Sequence, residues 1–349
     1  MTRRAVGKRC ATTQEPKRRL RCHYGLMILT CAVLGLALNL CGEPQMGDSR
    51  QAFAQVSRAL LLQFEKYDLV ALGESHNTQE DQDLRINLVR NPRFPKTVHN
   101  IVVECANALH QEVLDRFIAG ATVPKEEIQR LWRDTTQSPV GGGDSPACER
   151  FLTEIRSINR NLPNGLKLRA LAGDPPIDWA KINSAEEFQG FLRTRDQFAA
   201  ELVLREILGR KQKALLIYGA GHLWRNVALN PAPNLASLID RSKPGSLFTV
   251  IRLGGSYPNT PLLESVMPKS RPAFAVLKGP PAADLDANEF LGRGVPVRLF
   301  AAGLGIGQVA DGCVYTGQRS DTPIASNPPD PAYEKEKERR RGFMPRPQR

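Results

Sequence analysis

Cysteine is scarce beyond the first 42 residues of this 349-residue chain, where only Cys105, Cys148 and Cys313 occur. An odd count without a CxxC pair argues against a disulfide framework and against a structural zinc site, although one bridge with one free thiol fits the count. Cys105 directly follows an apolar run, so we interpret it as a small buried core residue rather than a nucleophile. The absence of a CxxCH sequence excludes covalently attached haem.

The sequence also lacks complete nucleotide-binding signatures. The glycine run 141–143 is not followed by the Gly-Lys-Ser/Thr of a phosphate-binding loop. Gly219-x-Gly221 lacks the third glycine and the downstream acidic residue of a dinucleotide fingerprint. The spaced glycines at 303–307 are interpreted as a turn, because no clear helix follows them. None of these stretches therefore supports nucleotide binding.

Positive charge is concentrated at the two ends of the chain. Residues 1–42 hold eight Lys/Arg and one Asp/Glu, a net charge of +7, and residues 321–349 contribute +2. Only +3 of the formal net charge of +12 is left for residues 43–320. Because the basic character belongs mostly to the ends, it does not indicate a nucleic-acid partner for the folded part.

The N-terminal residues have the pattern of an export signal. A basic stretch, 3–21, precedes an uncharged apolar run, 25–40, which is short beside the roughly 20 apolar residues of a spanning helix. We therefore predict an export signal or membrane anchor over residues 1–42 and a periplasmic or extracellular location. Cys41 is a candidate lipidated cysteine of a lipoprotein, although the bulky Leu40 precedes it.

Strand-like and helix-like segments alternate through residues 43–319, which predicts a single α/β domain with a mostly parallel sheet flanked by helices. Residues 108–160 contain no strand candidate, so they are predicted to form a helical insertion after the second strand that roofs the site. Residues 320–349 are Pro-rich and then highly charged, which predicts a disordered tail. The strand candidates are 69–72, 101–104, 166–172, 214–218, 248–253, 274–277, 295–300 and 313–316.

Acidic or imidazole side chains follow each of the first four strand candidates. The first ends in Glu74 and His76, and the next three end in Glu104, Asp174 and His222. In parallel sheets, ligands bind outside the carboxyl ends of the strands. One such ending is common because strands must leave the core through polar loops, but four in succession indicate a functional site at one rim of the sheet.

Six short motifs after these segments carry a resemblance to known proteins. In their order and placement they resemble the superfamily that joins erythromycin esterases, Tiki-type proteases and ChaN-type haem-binding lipoproteins, over roughly residues 55–318. The ChaN-like branch is the most similar, although Phe198 stands where that branch often has Met. The motifs are Gly73-Glu74-x-His76, Val103-Glu104, Gly173-Asp174, Arg195-Asp196-x-Phe198-Ala199, Gly219-x-Gly221-His222 and Ala310-Asp311-Gly312.

The resemblance implies a pocket that joins Glu74, His76, Glu104 and His222 in a hydrolase of small-molecule or peptide esters or amides. Two mechanisms fit these residues. In a metal version, His76, Glu104 and His222 hold a divalent ion such as Mn, Fe, Co or Zn, which activates water. In a metal-free version, His76 removes a proton from water, Glu74 or Glu104 orients the imidazole, and His222 stabilises the oxyanion.

Further residues are expected to support this pocket. Asp174 is predicted to orient the substrate or a site residue, and Arg195 and Asp196 are predicted to form a structural ion pair that braces the site. If His222 begins a helix, the helix dipole would disfavour its protonation. Two alternatives to a hydrolase remain: haem binding or iron uptake without catalysis, and an envelope-associated protein that has kept the fold without the activity. Retention of both Glu-x-His and Gly-His disfavours the last.

Overall fold

The structure is a computed structural model of the protein. It describes residues 46–137, 144, 146–228, 232–254, 264–265, 267–280, 282–291, 298–317 and 321–344. The predicted export segment, 1–42, and the glycine run 141–143 lie outside these ranges, so export stays a prediction. Among the residues described, no helix is both long enough and apolar enough to cross a membrane.

Seven strands within the described ranges form one sheet, in the order β3-β2-β4-β1-β5-β7-β6. Neighbouring strands are parallel except β6, which runs antiparallel to β7. The predicted mostly parallel sheet is therefore confirmed. The strands are β1 Leu69–Glu74, β2 Asn100–Asn107, β3 Arg169–Asp174, β4 Ala214–Gly219, β5 Leu247–Leu253, β6 Ala273–Val276 and β7 Gly312–Tyr315.

Helices flank this sheet, and α4, α5 and α6 occupy the segment predicted as a helical insertion. A single 3₁₀ turn, Ala220–His222, directly follows β4. The helices are α1 Met46–Gln63, α2 Gln79–Arg90, α3 Phe94–Thr97, α4 Gln111–Ile118, α5 Lys125–Arg133, α6 Pro146–Asn161, α7 Ala185–Glu206, α8 Leu235–Ser242, α9 Ala287–Leu291 and α10 Pro331–Arg341.

The central strands are apolar throughout because helices cover both faces of the sheet. Successive side chains of a strand point to opposite faces. In β1, Val70 packs into one core with Phe64, which directly follows α1, while its neighbour Leu69 packs into the opposite core with Val203 of α7. Burial on both faces requires a continuous apolar run rather than alternation, which is why β1 was recognisable from sequence.

Two segments differ from the sequence-based prediction. The predicted strand 295–300 is not a strand at its described residues, 298–300. The predicted disordered tail contains α10, which begins at the N-cap Asp330 and packs against the fold. Arg340 of this helix is buried rather than solvated: it is 4% exposed and donates to Asp134 over 2.7 Å.

Cys105 and Cys148 form a disulfide that joins β2 to α6. Cys105, interpreted as a small buried core residue, is half-buried against the core and bonded to Cys148, so the three cysteines follow the alternative of one bridge with one free thiol. Cys313 is the free thiol; it is fully buried, and burial raises its pKa to about 12. Cys313 is consequently a packing residue at neutral pH.

Candidate active site

The four strands whose ends were singled out are consecutive neighbours in the sheet, in the order β3-β2-β4-β1. Their register aligns the carboxyl ends, since Glu74 lies opposite Gly219 and Val103 lies opposite Ile217. The residues that leave these strands therefore meet at one rim, as the sequence pattern predicted.

Glu74 and His76 form a hydrogen-bonded pair at this rim. Nδ1 of His76 lies 3.0 Å from Oε1 of Glu74, and the His76 side chain is 43% exposed while that of Glu74 is 11% exposed. The other ring nitrogen of His76, Nε2, has no hydrogen-bond partner among the described residues. Desolvation alone would lower the pKa of His76, but the bond to Glu74 and the charge of Glu104 outweigh it and raise that pKa. The carboxylate thus orients a basic imidazole toward solvent.

Arg85, which the sequence analysis missed, holds Glu74 from the other side. Its Nη1 donates to Oε2 of Glu74 over 2.7 Å, and its Nε donates to Oε1 of Gln82 over 2.9 Å. Burial would raise the pKa of Glu74, but the Arg85 guanidinium and the bond from His76 lower it. Glu74 is therefore a carboxylate fixed between a permanent cation and the imidazole it orients.

Glu104, His222 and Asp196 form a second, deeper group. Nε2 of His222 lies 3.2 Å from Oε1 of Glu104, and its Nδ1 lies 2.7 Å from Oδ1 of Asp196. Glu104 also accepts from the backbone N–H of Gly219 and from Nε2 of Gln137, both over 2.5 Å. Every oxygen of Glu104 thus has a protein donor, which a buried carboxylate requires.

The predicted effect of a helix dipole on His222 is wrong, because the two carboxylates dominate. His222 ends a single 3₁₀ turn rather than beginning a helix. Burial alone would lower its pKa, but Glu104 and Asp196 raise it to about 10. In return, His222 holds the pKa of Glu104 well below its usual range against the effect of burial. At neutral pH the pair is an imidazolium and a carboxylate.

Gly219 brings the two groups together. A Cβ atom at this position would lie 2.9 Å from Nε2 of His76 and 3.3 Å from Oε2 of Glu104. Real Cβ atoms essentially never approach a neighbour as closely as 2.9 Å, so any other residue here would push His76 away from Glu104. The glycine of the Gly219-x-Gly221-His222 motif is needed for close approach rather than for a phosphate.

Asp174 lies at the same rim, and its carboxyl group binds the loop that contains Thr136. It is 2% exposed, and it accepts from the hydroxyl of Thr136 over 2.5 Å and from the Thr136 N–H over 2.8 Å. The next residue, Gln137, is the one that donates to Glu104. Asp174 therefore anchors the loop that holds Glu104. Burial raises the pKa of Asp174 to about 7 despite the Thr136 bonds and the nearby charge of Arg195.

This shift predicts a pH dependence of stability. The pKa of the Asp174 carboxyl rises on folding from its ordinary value of 3.8 to about 7. The folded state therefore keeps a proton that the unfolded state loses, and the free energy of unfolding falls as the pH rises from 4 to 7, by on the order of 4 kcal/mol from this group. Denaturant unfolding measured at several pH values should show this slope, and Asp174→Asn should remove it. Asp178→Asn, whose carboxyl pKa is lowered instead, is the matched control; an unchanged slope in Asp174→Asn would contradict the assignment.

The predicted ion pair between Arg195 and Asp196 is not formed in the described structure. Asp196 instead binds His222 and accepts from the backbone N–H of Leu235 over 2.8 Å. Helix α7 places successive residues about 100° apart, so Arg195 and Asp196 point in different directions. Asp196 thus belongs to the site itself, while Arg195 contributes a charge near Asp174.

The donor set fits an ion-paired cluster better than a metal centre. Both nitrogens of His222 face carboxylates, and both oxygens of Glu104 accept from protein donors. A metal ligand needs a free lone pair on a neutral imidazole, which His222 does not offer in this arrangement. Across the described part of the chain, no group of three or more His, Cys, Asp or Glu side chains is arranged to hold a metal ion.

Three solved structures share this fold. Erythromycin esterase EreC in its open conformation gives a TM-score of 0.53 at 13% identity, over 77% of this chain and 95% of that chain. A succinoglycan biosynthesis protein gives a TM-score of 0.53 at 9% identity, over 81% of this chain and 100% of that chain. A Bacillus cereus protein gives a TM-score of 0.50 at 12% identity, over 78% of this chain and 99% of that chain.

These likenesses establish the fold class and nothing finer. No protein-family model matches the chain, and a search of curated proteins finds no match. The chain therefore has the α/β fold that an erythromycin esterase also has. The closer resemblance to the ChaN-like branch stays a prediction.

Proposed function

We propose that the chain is an exported hydrolase of an ester or amide, in which His76 acts as the general base. The observation that carries this proposal is the contact of 3.0 Å between Nδ1 of His76 and Oε1 of Glu74, which leaves Nε2 of a half-exposed imidazole without a partner among the described residues. A carboxylate that fixes one ring nitrogen keeps the other available to take a proton from water.

The remaining residues support this role in distinct ways. Arg85 fixes Glu74, so the orienting carboxylate cannot rotate away from His76. Both N–H groups of His222 are directed at Glu104 and Asp196, so its imidazolium braces the rim beside His76 rather than donating to an oxyanion. Glu104 holds His222 in its charged form. A hydroxide formed by His76 would attack the carbonyl carbon, and the protonated His76 would then return the proton to the leaving group.

The disulfide supports the exported location. Disulfides persist in oxidising compartments such as the periplasm and the cell exterior, and they are rare in the reducing cytosol. Cys105 directly follows Glu104, so the bridge to Cys148 braces the strand that carries a site carboxylate. Export agrees with the basic and apolar pattern of residues 1–42, through which the protein would meet the membrane.

The proposal is tested by assaying the purified chain against 4-nitrophenyl esters and 4-nitroanilides before and after treatment with EDTA. We expect hydrolysis that survives chelation, because His76 rather than a metal activates water. Loss on chelation with recovery on adding Mn or Zn would contradict the metal-free mechanism and support the metal version. Failure to cleave any ester or anilide would count against the hydrolase.

Haem binding without catalysis is the second candidate, and the same nitrogen favours it. Nε2 of His76 is half-exposed and unpartnered among the described residues, as an axial ligand of haem iron must be. Titration of the chain with haemin tests this candidate. A Soret shift that is lost in His76→Gln would support it, whereas no shift would exclude it.

A further inference from the structure

We propose that the C-terminal strap, residues 321–344, positions the site by fixing two loops, one that follows β1 and one that follows α5. The first is the base loop, residues 75–80, which joins β1 to the first residues of α2 and carries His76. The second is the anchor loop, residues 134–137, whose Gln137 donates to Glu104. The effect of the strap on turnover rests on the proposed function, but its effect on the two loops does not.

The strap pairs with the base loop through backbone hydrogen bonds. The N–H of Gln79 donates to the carbonyl of Thr322, and the N–H of Ile324 donates to the carbonyl of Asn77, both over 2.8 Å. Ile324 is 7% exposed, so this end of the strap is packed against the fold. Asn77 adopts a left-handed backbone conformation, with φ of 61°, directly after His76. The strap thus fixes the turn that sets the direction of the imidazole.

Arg252 of β5 adds an ionic link at the same place. It donates to both oxygens of Asp321 in the strap, over 2.7 and 2.6 Å, and its Nε donates to Oδ1 of Asp81 over 2.8 Å. The other oxygen of Asp81 accepts from the N–H of Ser75 and from the hydroxyl of Thr78. One buried guanidinium, with a side chain 4% exposed, therefore joins the strap to the carboxylate that holds the base loop.

The other end of the strap holds the anchor loop. Arg340 of α10 donates to Oδ1 of Asp134 over 2.7 Å and to the carbonyl of Arg133 over 2.5 Å, and its guanidinium lies 4.8 Å from the ring centre of Trp179. Arg133 in turn donates to Asp330 over 2.7 Å. The indole N–H of Trp179 donates to the carbonyl of Asp134. Helix α10 thus fixes the residue from which the anchor loop begins.

The sheet does not hold the anchor loop directly, because this loop follows α5 rather than a strand. Strand β4 separates β1 from β2, so His76 and Glu104 leave strands that are not neighbours. Within the described residues, the strap is one continuous segment that contacts both loops. Segments with few contacts of their own open most readily, and every added tertiary contact lowers that tendency. Without the strap we expect both loops to open more often.

Amide hydrogen exchange on the full chain tests this, with Asp321→Asn combined with Asp330→Asn to weaken both ends of the strap. We expect the amides of Ser75 and Thr136 to exchange at least tenfold faster, while the amide of Leu216 in β4 is unchanged. Faster exchange throughout α10 with no change at Ser75 and Thr136 would overturn the proposal. If α10 itself is not released, Arg340→Gln is added to weaken the contact with Asp134, and the same criterion is applied.

Glu334→Gln is the matched control, because the Glu334 carboxylate forms its ion pair with Lys337 of the same helix and its side chain is 46% exposed. This variant should change neither loop. Turnover of 4-nitrophenyl acetate should fall about tenfold in kcat in the double variant, with little change in KM, since misplacement of a base lowers the rate of the chemical step. If the amides of Ser75 and Thr136 exchange faster in the double variant but the wild-type chain hydrolyses no ester, the role of the strap stands and the proposed function is refuted.

Discussion

His76→Gln is expected to lower kcat for ester hydrolysis by about 10³-fold, with little change in KM. General-base catalysis contributes roughly 10²–10⁴-fold, and Nε2 of His76 is the basic nitrogen at the rim without a partner among the described residues. Glutamine keeps a polar side chain of similar length but has no basic nitrogen. Initial rates with 4-nitrophenyl acetate, measured over a range of concentrations, separate kcat from KM and so separate chemistry from binding.

The pH profile of the wild-type chain identifies the same group. His76 must be neutral to accept a proton, and its pKa is raised above the ordinary value of 6.5 by Glu74 and Glu104. The rate should therefore rise with pH through a midpoint above 6.5. Glu74→Gln removes the main interaction that raises this pKa, so its midpoint should move to lower pH.

His99→Gln is the control for this substitution, because His99 is exposed and lies before β2, away from the rim. It should leave kcat unchanged. Full activity in His76→Gln, with the acidic limb of the pH profile intact, would show that another residue activates water. Equal losses in both histidine variants would instead point to a general defect in folding.

The position of the site was predictable because strands end in a recognisable way. An apolar run buried on both faces must stop where the chain becomes polar, and the four polar ends lie on adjacent parallel strands. Glu74 and Asp174 are the last residues of their strands, Glu104 lies three residues before the end of β2, and His222 follows β4 by three residues. Sequence could therefore place these side chains at one rim.

The partners of those residues depend on contacts between distant segments. Gln137 donates to Glu104 although the two residues are 33 positions apart in sequence, and no local sequence pattern distinguishes Gln137. Arg85 offered a weak signal, since it occupies a buried position of α2 beside Leu84 and Leu88, where a charge requires a partner. A search for charged residues at core spacing would have found it.

The C-terminal segment was mispredicted for a related reason. A segment with this many charged residues is expected to be solvated and disordered, which is correct for an isolated chain. In the fold, Arg340 finds Asp134 and the face of Trp179, and Tyr333 is 7% exposed. Pairing at these positions depends on tertiary contacts that charge counts do not contain.

Glu104→Gln is expected to lower the free energy of unfolding at pH 6 by about 3–5 kcal/mol, the usual cost of removing one partner of a buried ion pair. Three donors converge on Glu104, from Gln137, Gly219 and His222. An amide offers one acceptor oxygen and presents its own donors to theirs, so at least one buried donor loses its partner. Urea unfolding measures the loss, and titration of the His222 imidazole by NMR should show its pKa falling from about 10.

The loss should depend on pH in a way that a packing defect would not. Glu104 has a lowered pKa in the fold, so its contribution is present above the ordinary carboxyl range and disappears as the pH falls below it. His222 has a raised pKa, so its contribution is complete below 6.5 and disappears as the pH rises through about 10. The difference between wild type and Glu104→Gln should therefore be largest near pH 6 and shrink toward pH 10. Glu127→Gln, which breaks the exposed pair with Arg116, should cost less than about 1 kcal/mol at every pH; a flat difference for Glu104→Gln would show that the pair with His222 does not stabilise the site.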